Sequence, residues 1–217
     1  LLAALVFVGV SLGAVLALRW IDPPFTAVML LQPGPVGDLA HTWVARDAIA
    51  WDAARAVIAS EDQRFAEHHG IDFKQLNEAI EDYQDGDDLR GASTITQQVA
   101  KNVFLWQGRS VVRKALDAYF AVLIETSWSK ERILEVYLNV AEFGPGIFGV
   151  EAAAREHFGK TAASLSLSEA ALLAAVLPNP LRMSASRPSD YVRERREEII
   201  EQVRLLETRG HYRGIDW

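Results

Sequence analysis

A chain of 217 residues, half of them hydrophobic, is long enough for one domain with a full core and something extra. Its net charge of −7 argues against nucleic acid as the main partner, although local basic clusters keep the capacity to bind an anion. The absence of cysteine excludes a disulfide framework and thiolate metal sites.

The extra piece comes first. Leu1 to Leu18 carries no charged residue and Ser11 is its one polar side chain, after which Arg19 and Trp20 supply a basic and an aromatic interface marker. Residues 1–20 are therefore expected to form a transmembrane anchor. A cleaved signal peptide is the competing reading, but no small-x-small cleavage site follows, and Ile21 to Pro24 are bulky or stiff. The breakers Asp22-Pro23-Pro24 and Gln32-Pro33-Gly34-Pro35 make 21–43 a stalk or entry segment, leaving 44–217 as one domain.

Within that domain the spacing predicts helices throughout. Val44 to Ile58, rich in alanine, reads as a helix ending near Glu61. Asp72 to Tyr83 follows, with Asp72 and Gln75 as a capping pair and Phe73, Leu76, Ile80 and Tyr83 on one face. Gln84 to Gly91 has turn chemistry, little to bury, and the character of a mobile loop. Ser93 to Phe104 sets Ile95, Val99 and Val103 on one side of a helix, and Val112, Leu116, Phe120 and Leu123 mark the next. Ser129 caps a helix carrying Ile133, Leu134, Tyr137 and Leu138. Gly144-Pro145-Gly146 and Gly149 punctuate the chain before a helix to about Phe158. Ser166 with Glu169 then starts a helix that Pro178 stops, and a charged helix from about Ser189 ends at Gly210. With no run of alternating strands and no internal repeat, the fold class is mainly α.

Chemistry concentrates first at Ser60-Glu61-Asp62, where an apolar run meets a polar turn. Carboxylates are disfavoured at a helix C-terminus by the macrodipole, so the pair breaks a local rule in the way functional residues do. A glutamate there becomes a general acid or base if burial or a like charge raises its pKa. His68 and His69 match no metal spacing, and a hydrogen-bonding role is the better reading of His68. Thr94, Gln97, Gln98 and Lys101, at i, i+3, i+4 and i+7, form a polar stripe of hydroxyl, amides and one cation suited to a sugar and an anion. Thr94 and Gln97 also stand at capping-box spacing. Arg109, Arg113 and Lys114 open the following helix, where cations oppose the macrodipole; a bound anion or a plain charged surface would each account for them. Asp117 lies four residues after Arg113. Ser127-Trp128-Ser129-Lys130 fits S-x-x-K only formally, since no S-D-N or K-T-G accompanies it.

Together these segments resemble the peptidoglycan glycosyltransferases of family 51, most closely the monofunctional, membrane-anchored enzymes. The resemblance rests on E-D-Q-R-F-A-E-H-H-G-I-D from Glu61, G-A-S-T-I-T-Q-Q-V-A-K-N from Gly91, R-K-A-L-D from Arg113, K-E-R-I-L-E-V-Y-L-N from Lys130, F-G-P-G-I-F-G-V-E-A-A-A from Phe143 and S-E-A-A-L-L-A-A-V-L-P-N-P from Ser168. It implies a lysozyme-like helical glycosyltransferase domain with a small membrane-facing subdomain, polymerising lipid II with inversion at the anomeric carbon. By the same carry-over Glu61 is the general base, and Lys101 and Arg113 hold the donor pyrophosphate. Ser93, Thr94, Gln97 and Gln98 line the donor site, with Asn102 and Lys114 as further substrate-binding residues. The implied partners are lipid II, the growing lipid-linked glycan, the bilayer, and proteins of wall synthesis or division. The implied cofactor is at most a divalent cation, Mg or Mn, at the pyrophosphate, and the implied location is the bacterial cytoplasmic membrane with the domain on its outer side.

One position departs from the family pattern, which has glutamate where this chain has Asp117. The charge is kept on an arm one methylene shorter, so its catalytic role in positioning the pyrophosphate or a metal is weakened. Two other readings compete: a lysozyme-like enzyme that cleaves glycan with Glu61 as acid, and an anchored scaffold that docks through the last charged helix.

Overall fold

The computed structural model describes residues 1–84, 93–108 and 110–217. The expected loop, beyond Gln84, and Arg109 lie outside them. Ten α-helices and three very short strands are present among the described residues, so the mainly helical expectation holds.

The N-terminal helix α1 covers Leu2–Leu18, and Arg19 ends it. Among the described residues no helix is long and apolar enough to cross a membrane. Nor does α1 stand apart from the domain. The Ser11 and Tyr119 hydroxyls are 2.6 Å apart, Trp128 Nε1 donates to Val15 O at 2.8 Å, and Arg132 Nη2 donates to Leu18 O at 3.0 Å. Where the breakers predict a stalk, the short helix α2 (Ala27–Leu30) buries Val28 and Met29. Strand β1 (Ala40–His41) then joins a sheet.

Helix α3 runs Trp51–Glu61 and starts later than the alanine-rich pattern predicts. The reason is tertiary: the Asn139 side chain donates to Val44 O and accepts from Val44 N, each at 2.9 Å, while Glu135 accepts from Arg46 N at 3.1 Å. These partners, a 3-10 turn over Arg46–Ala48 and the Ala50 amide donating to Ala162 O at 3.1 Å serve the backbone here in place of an α-helix. Helix α4 (Phe73–Gln84) is capped as expected by Asp72, which accepts from the Lys74 and Gln75 amides at 3.0 Å. Of its predicted apolar face, Phe73 is 67% exposed and Leu76 is exposed as well.

Helices α5 (Ile95–Phe104), α6 (Val111–Ser127) and α7 (Lys130–Val140) pack together, with Ile95, Val99, Phe120, Ile124, Ile133 and Leu134 buried between them. Val112, expected in the α6 core, is exposed instead. Strands β2 (Glu142–Gly144) and β3 (Ile147–Phe148) complete the sheet in the order β1-β3-β2, with β1 parallel and β2 antiparallel to β3. Helix α8 (Val150–Phe158) leads to α9 (Leu167–Val176), started by the Ser166–Glu169 capping box. Every residue of α9 from Ala170 to Val176 is buried, as a helix apolar on all sides requires. It is covered by α3 and by α10 (Asp190–Arg209), which ends at Gly210 with φ +74°. The functional cleft runs where the end of α3 meets α5.

Candidate active site

The segment after α3 separates two adjacent carboxylates. Asp62, 1% exposed, accepts from His68 Nε2 at 2.9 Å and from the Ile95 amide, the first of α5, at 3.0 Å. A carboxylate unfavourable at the end of α3 is thus favourable at the start of α5, where free amides and the macrodipole attract it. His68 has the hydrogen-bonding role expected of it.

The loop between them is braced from below. Lys130 Nζ donates to His68 O at 2.7 Å and to Glu125 Oε1 at 2.8 Å, and lies 4.4 Å from the Phe65 ring centroid. Thr96 Oγ1 donates to the same Glu125 oxygen at 2.6 Å. At Gly70, with φ +88°, a Cβ would stand 2.9 Å from Glu125 Cγ and 3.1 Å from Ala121 O, so glycine alone suits this crossing.

Glu61 is left facing the cleft. Its Oε2 accepts from Gln98 Nε2 at 2.9 Å and its Oε1 from Ser60 Oγ at 3.2 Å. Burial pushes its pKa up; the Gln98 and Ser60 hydrogen bonds and the Arg195 charge oppose this, and Asp62 adds to it. The raised pKa makes Glu61, while ionised, a stronger proton acceptor than an ordinary carboxylate, as suits a general base.

Three adjoining chambers of 460, 350 and 230 Å³ are all bordered by Gln98. Glu61 and Arg195 border the 350 Å³ chamber, and Lys101 and Arg113 border both of the others. Burial, then the Arg113 charge, lowers the Lys101 pKa; Asp117, Glu61 and Glu142 act in the opposite sense. Arg113 Nη1 donates to both oxygens of Asp117, at 3.0 and 2.8 Å, and its Nε donates to Gly108 O at 2.7 Å. Burial raises the Asp117 pKa despite Arg113 and Lys114. Lys114 Nζ donates to Ser93 Oγ at 2.9 Å, and Asn102 borders the largest chamber.

The structure therefore brings together Glu61, Ser93, Gln98, Lys101, Asn102, Arg113, Lys114 and Asp117. Gln97 borders the smallest chamber, but its Oε1 accepts from Thr94 N at 3.1 Å. Thr94 does not reach the cleft: it is fully buried, accepts from Gln97 N at 3.2 Å and donates to Gly70 O at 2.6 Å. Thr94→Ala is accordingly expected to cost about 1–2 kcal/mol in urea unfolding, with polymerising activity falling only as far as the folded fraction. Tyr137, Glu142 and Arg195 also border the cleft without having been singled out. Tyr137 lies on the apolar stripe of α7 and Arg195 in a run of charges, and neither pattern distinguishes a cleft residue from its neighbours.

Among the described residues the carboxylates nearest the cations are already engaged. Both Asp117 oxygens accept from Arg113, Glu142 Oε1 accepts from Gly146 N, and no group of three or more His, Asp or Glu able to hold a metal occurs among the described residues.

A base in one chamber and cations in the next suit transfer from a donor whose leaving group is anionic. The model of the family described as Transglycosylase matches residues 32–204. The chain is 51% identical to the biosynthetic peptidoglycan transglycosylase of Pseudomonas aeruginosa over 203 residues, covering 91% of this chain and 88% of that protein. It is 49% identical to that of Shewanella oneidensis, covering 90% and 86%, and 50% identical to that of Chromohalobacter salexigens, covering 95% and 91%. The chain therefore belongs to the transglycosylase family and is a peptidoglycan glycosyltransferase, an enzyme that polymerises glycan strands.

Proposed function

We propose that the substrate is lipid II and that Glu61 is the general base. The observation that carries this reading is the division of the cleft at Gln98, with Glu61 facing one chamber and Lys101 and Arg113 the other two. The 4-hydroxyl of the acceptor sugar loses its proton to Glu61 as its oxygen attacks the anomeric carbon of the donor. The bond from that carbon to the pyrophosphate breaks, and undecaprenyl pyrophosphate leaves. Attack from the face opposite the leaving group inverts the centre. Lys101 and Arg113 stabilise the leaving charge, so no acid is needed to protonate it. A glycan-cleaving enzyme would have no use for these two cations.

The reading places the enzyme at the outer face of the cytoplasmic membrane. Along α1, Leu2, Leu5, Val6 and Val10 are exposed, with Trp20 after them, an apolar surface suited to lipid. Holding enzyme and lipid-linked substrate at one surface raises their effective concentration.

The test is incubation of the detergent-solubilised protein with fluorescent lipid II, resolved by gel. A ladder of polymer supports the reading, whereas muropeptides released from finished glycan would support hydrolysis. Asp117→Glu restores the longer arm of the family pattern and is expected to raise turnover by up to about tenfold through better placement of Arg113. Unchanged turnover in that variant would show that the shorter side chain does not limit the enzyme.

A further inference from the structure

Between Glu61 and the core of α7 lies a second hydrogen bond that the proposed reaction does not use directly. Tyr137 is 1% exposed, and its hydroxyl donates to Gln98 Oε1 at 3.1 Å. The same amide donates through Nε2 to Glu61 Oε2 at 2.9 Å. The direction is forced by chemistry, because an amide oxygen only accepts and a carboxylate only accepts. With Tyr137 donating to Oε1, the end of Gln98 that faces Glu61 is Nε2.

We propose that Tyr137 is a positioning residue for glycosyl transfer, holding the Gln98 amide in the orientation that donates to Glu61 and so keeping the base ionised. This rests on the reading of Glu61 as the general base. If the amide turned over, its oxygen would stand against the carboxylate and favour the protonated form. That form cannot take a proton from the acceptor. Burial, together with the charges of Glu61 and Asp62, keeps the Tyr137 phenol protonated, so its hydroxyl remains a donor throughout the working range. The groups bearing on Glu61 are the Gln98 amide, the Ser60 hydroxyl, Asp62 beside it, Arg195 from α10 and Lys101 from α5, and the hydrogen bond of Tyr137 reaches it through Gln98. None of the charged groups is altered by removing one hydroxyl.

Tyr137→Phe keeps the buried ring and deletes the hydroxyl. The acidic limb of kcat/KM for fluorescent lipid II is expected to move up by about half to one pH unit, because the protonated base becomes easier to populate. On the alkaline side of that limb the rate stays within about threefold of the parent. A purely structural role predicts an equal loss at every pH, and that result would overturn the proposal. So would a profile superimposed on the parent. Gln98→Met reaches the same hydrogen bond without touching the core, and should move the limb in the same direction. Adding Tyr137→Phe to Gln98→Met should then move it no further. An unmoved limb in Gln98→Met overturns the proposal even if Tyr137→Phe fails to fold. Glu61→Gln separates the two ideas: polymerisation that survives it removes Glu61 as base. Polymerisation lost there, with the limb unmoved in Tyr137→Phe, removes only the role of Tyr137.

Discussion

Glu61→Gln is expected to lower lipid II polymerisation by about 10²- to 10⁴-fold, the range over which a positioned general base contributes. The amide has nearly the shape of the carboxylate, so substrate binding and fold are kept while the proton acceptor is lost. The activity of the parent should also fall on the acid side, with a limb above the ordinary glutamate pKa because burial raises that of Glu61. The sign for stability is opposite to that for activity. A carboxyl whose folded-state pKa is raised favours folding more as pH falls through that value, and its ionised form weighs against the fold at neutral pH. Glu61→Gln should therefore melt at the same temperature as the parent or higher at pH 7. An inactive variant that also melts well below the parent would point to misfolding rather than to loss of a base.

Lys130→Met is expected to cost about 3–5 kcal/mol in urea unfolding, because it leaves Glu125, whose side chain is 4% exposed, without its counter-charge. The same change frees His68 O from its 2.7 Å donor, so the loop carrying Asp62 and His68 loses its brace. Adding Glu125→Gln should restore part of the stability, since a buried neutral amide is tolerated where an unpaired carboxylate is not. A single variant within about 1 kcal/mol of the parent would mean that the network does not hold the loop.

Both effects arise from residues whose type was visible in the sequence and whose partners were not. Glu61 stood out because two carboxylates at a helix end break a local rule. Lys130 read as the lysine of a merely formal S-x-x-K match and as part of a segment resembling the family. Local signals were otherwise reliable. Capping at Asp72, Thr94, Ser129 and Ser166 and the stop at Gly210 appear where short-range chemistry places them, since a cap and its amides lie within three residues of one another. Periodicity failed at Phe73 and Val112, both exposed. A pattern records which side of a helix is apolar and not whether another element covers it.

A mainly helical chain, the carboxylate pair, the polar stripe of α5 and the cations of α6 follow from residue types and their spacing alone. How these residues divide their work depends on packing. Asp62 is separated from its Ile95 partner by 33 positions, Tyr137 from Gln98 by 39, and Trp128 from Val15 by 113. Hydrogen-bond partners at such separations are chosen by how packed helices bring distant side chains within reach. That choice fixes Asp62 as a clasp for α5, Thr94 as a cap and Glu61 as the carboxylate left facing the cleft.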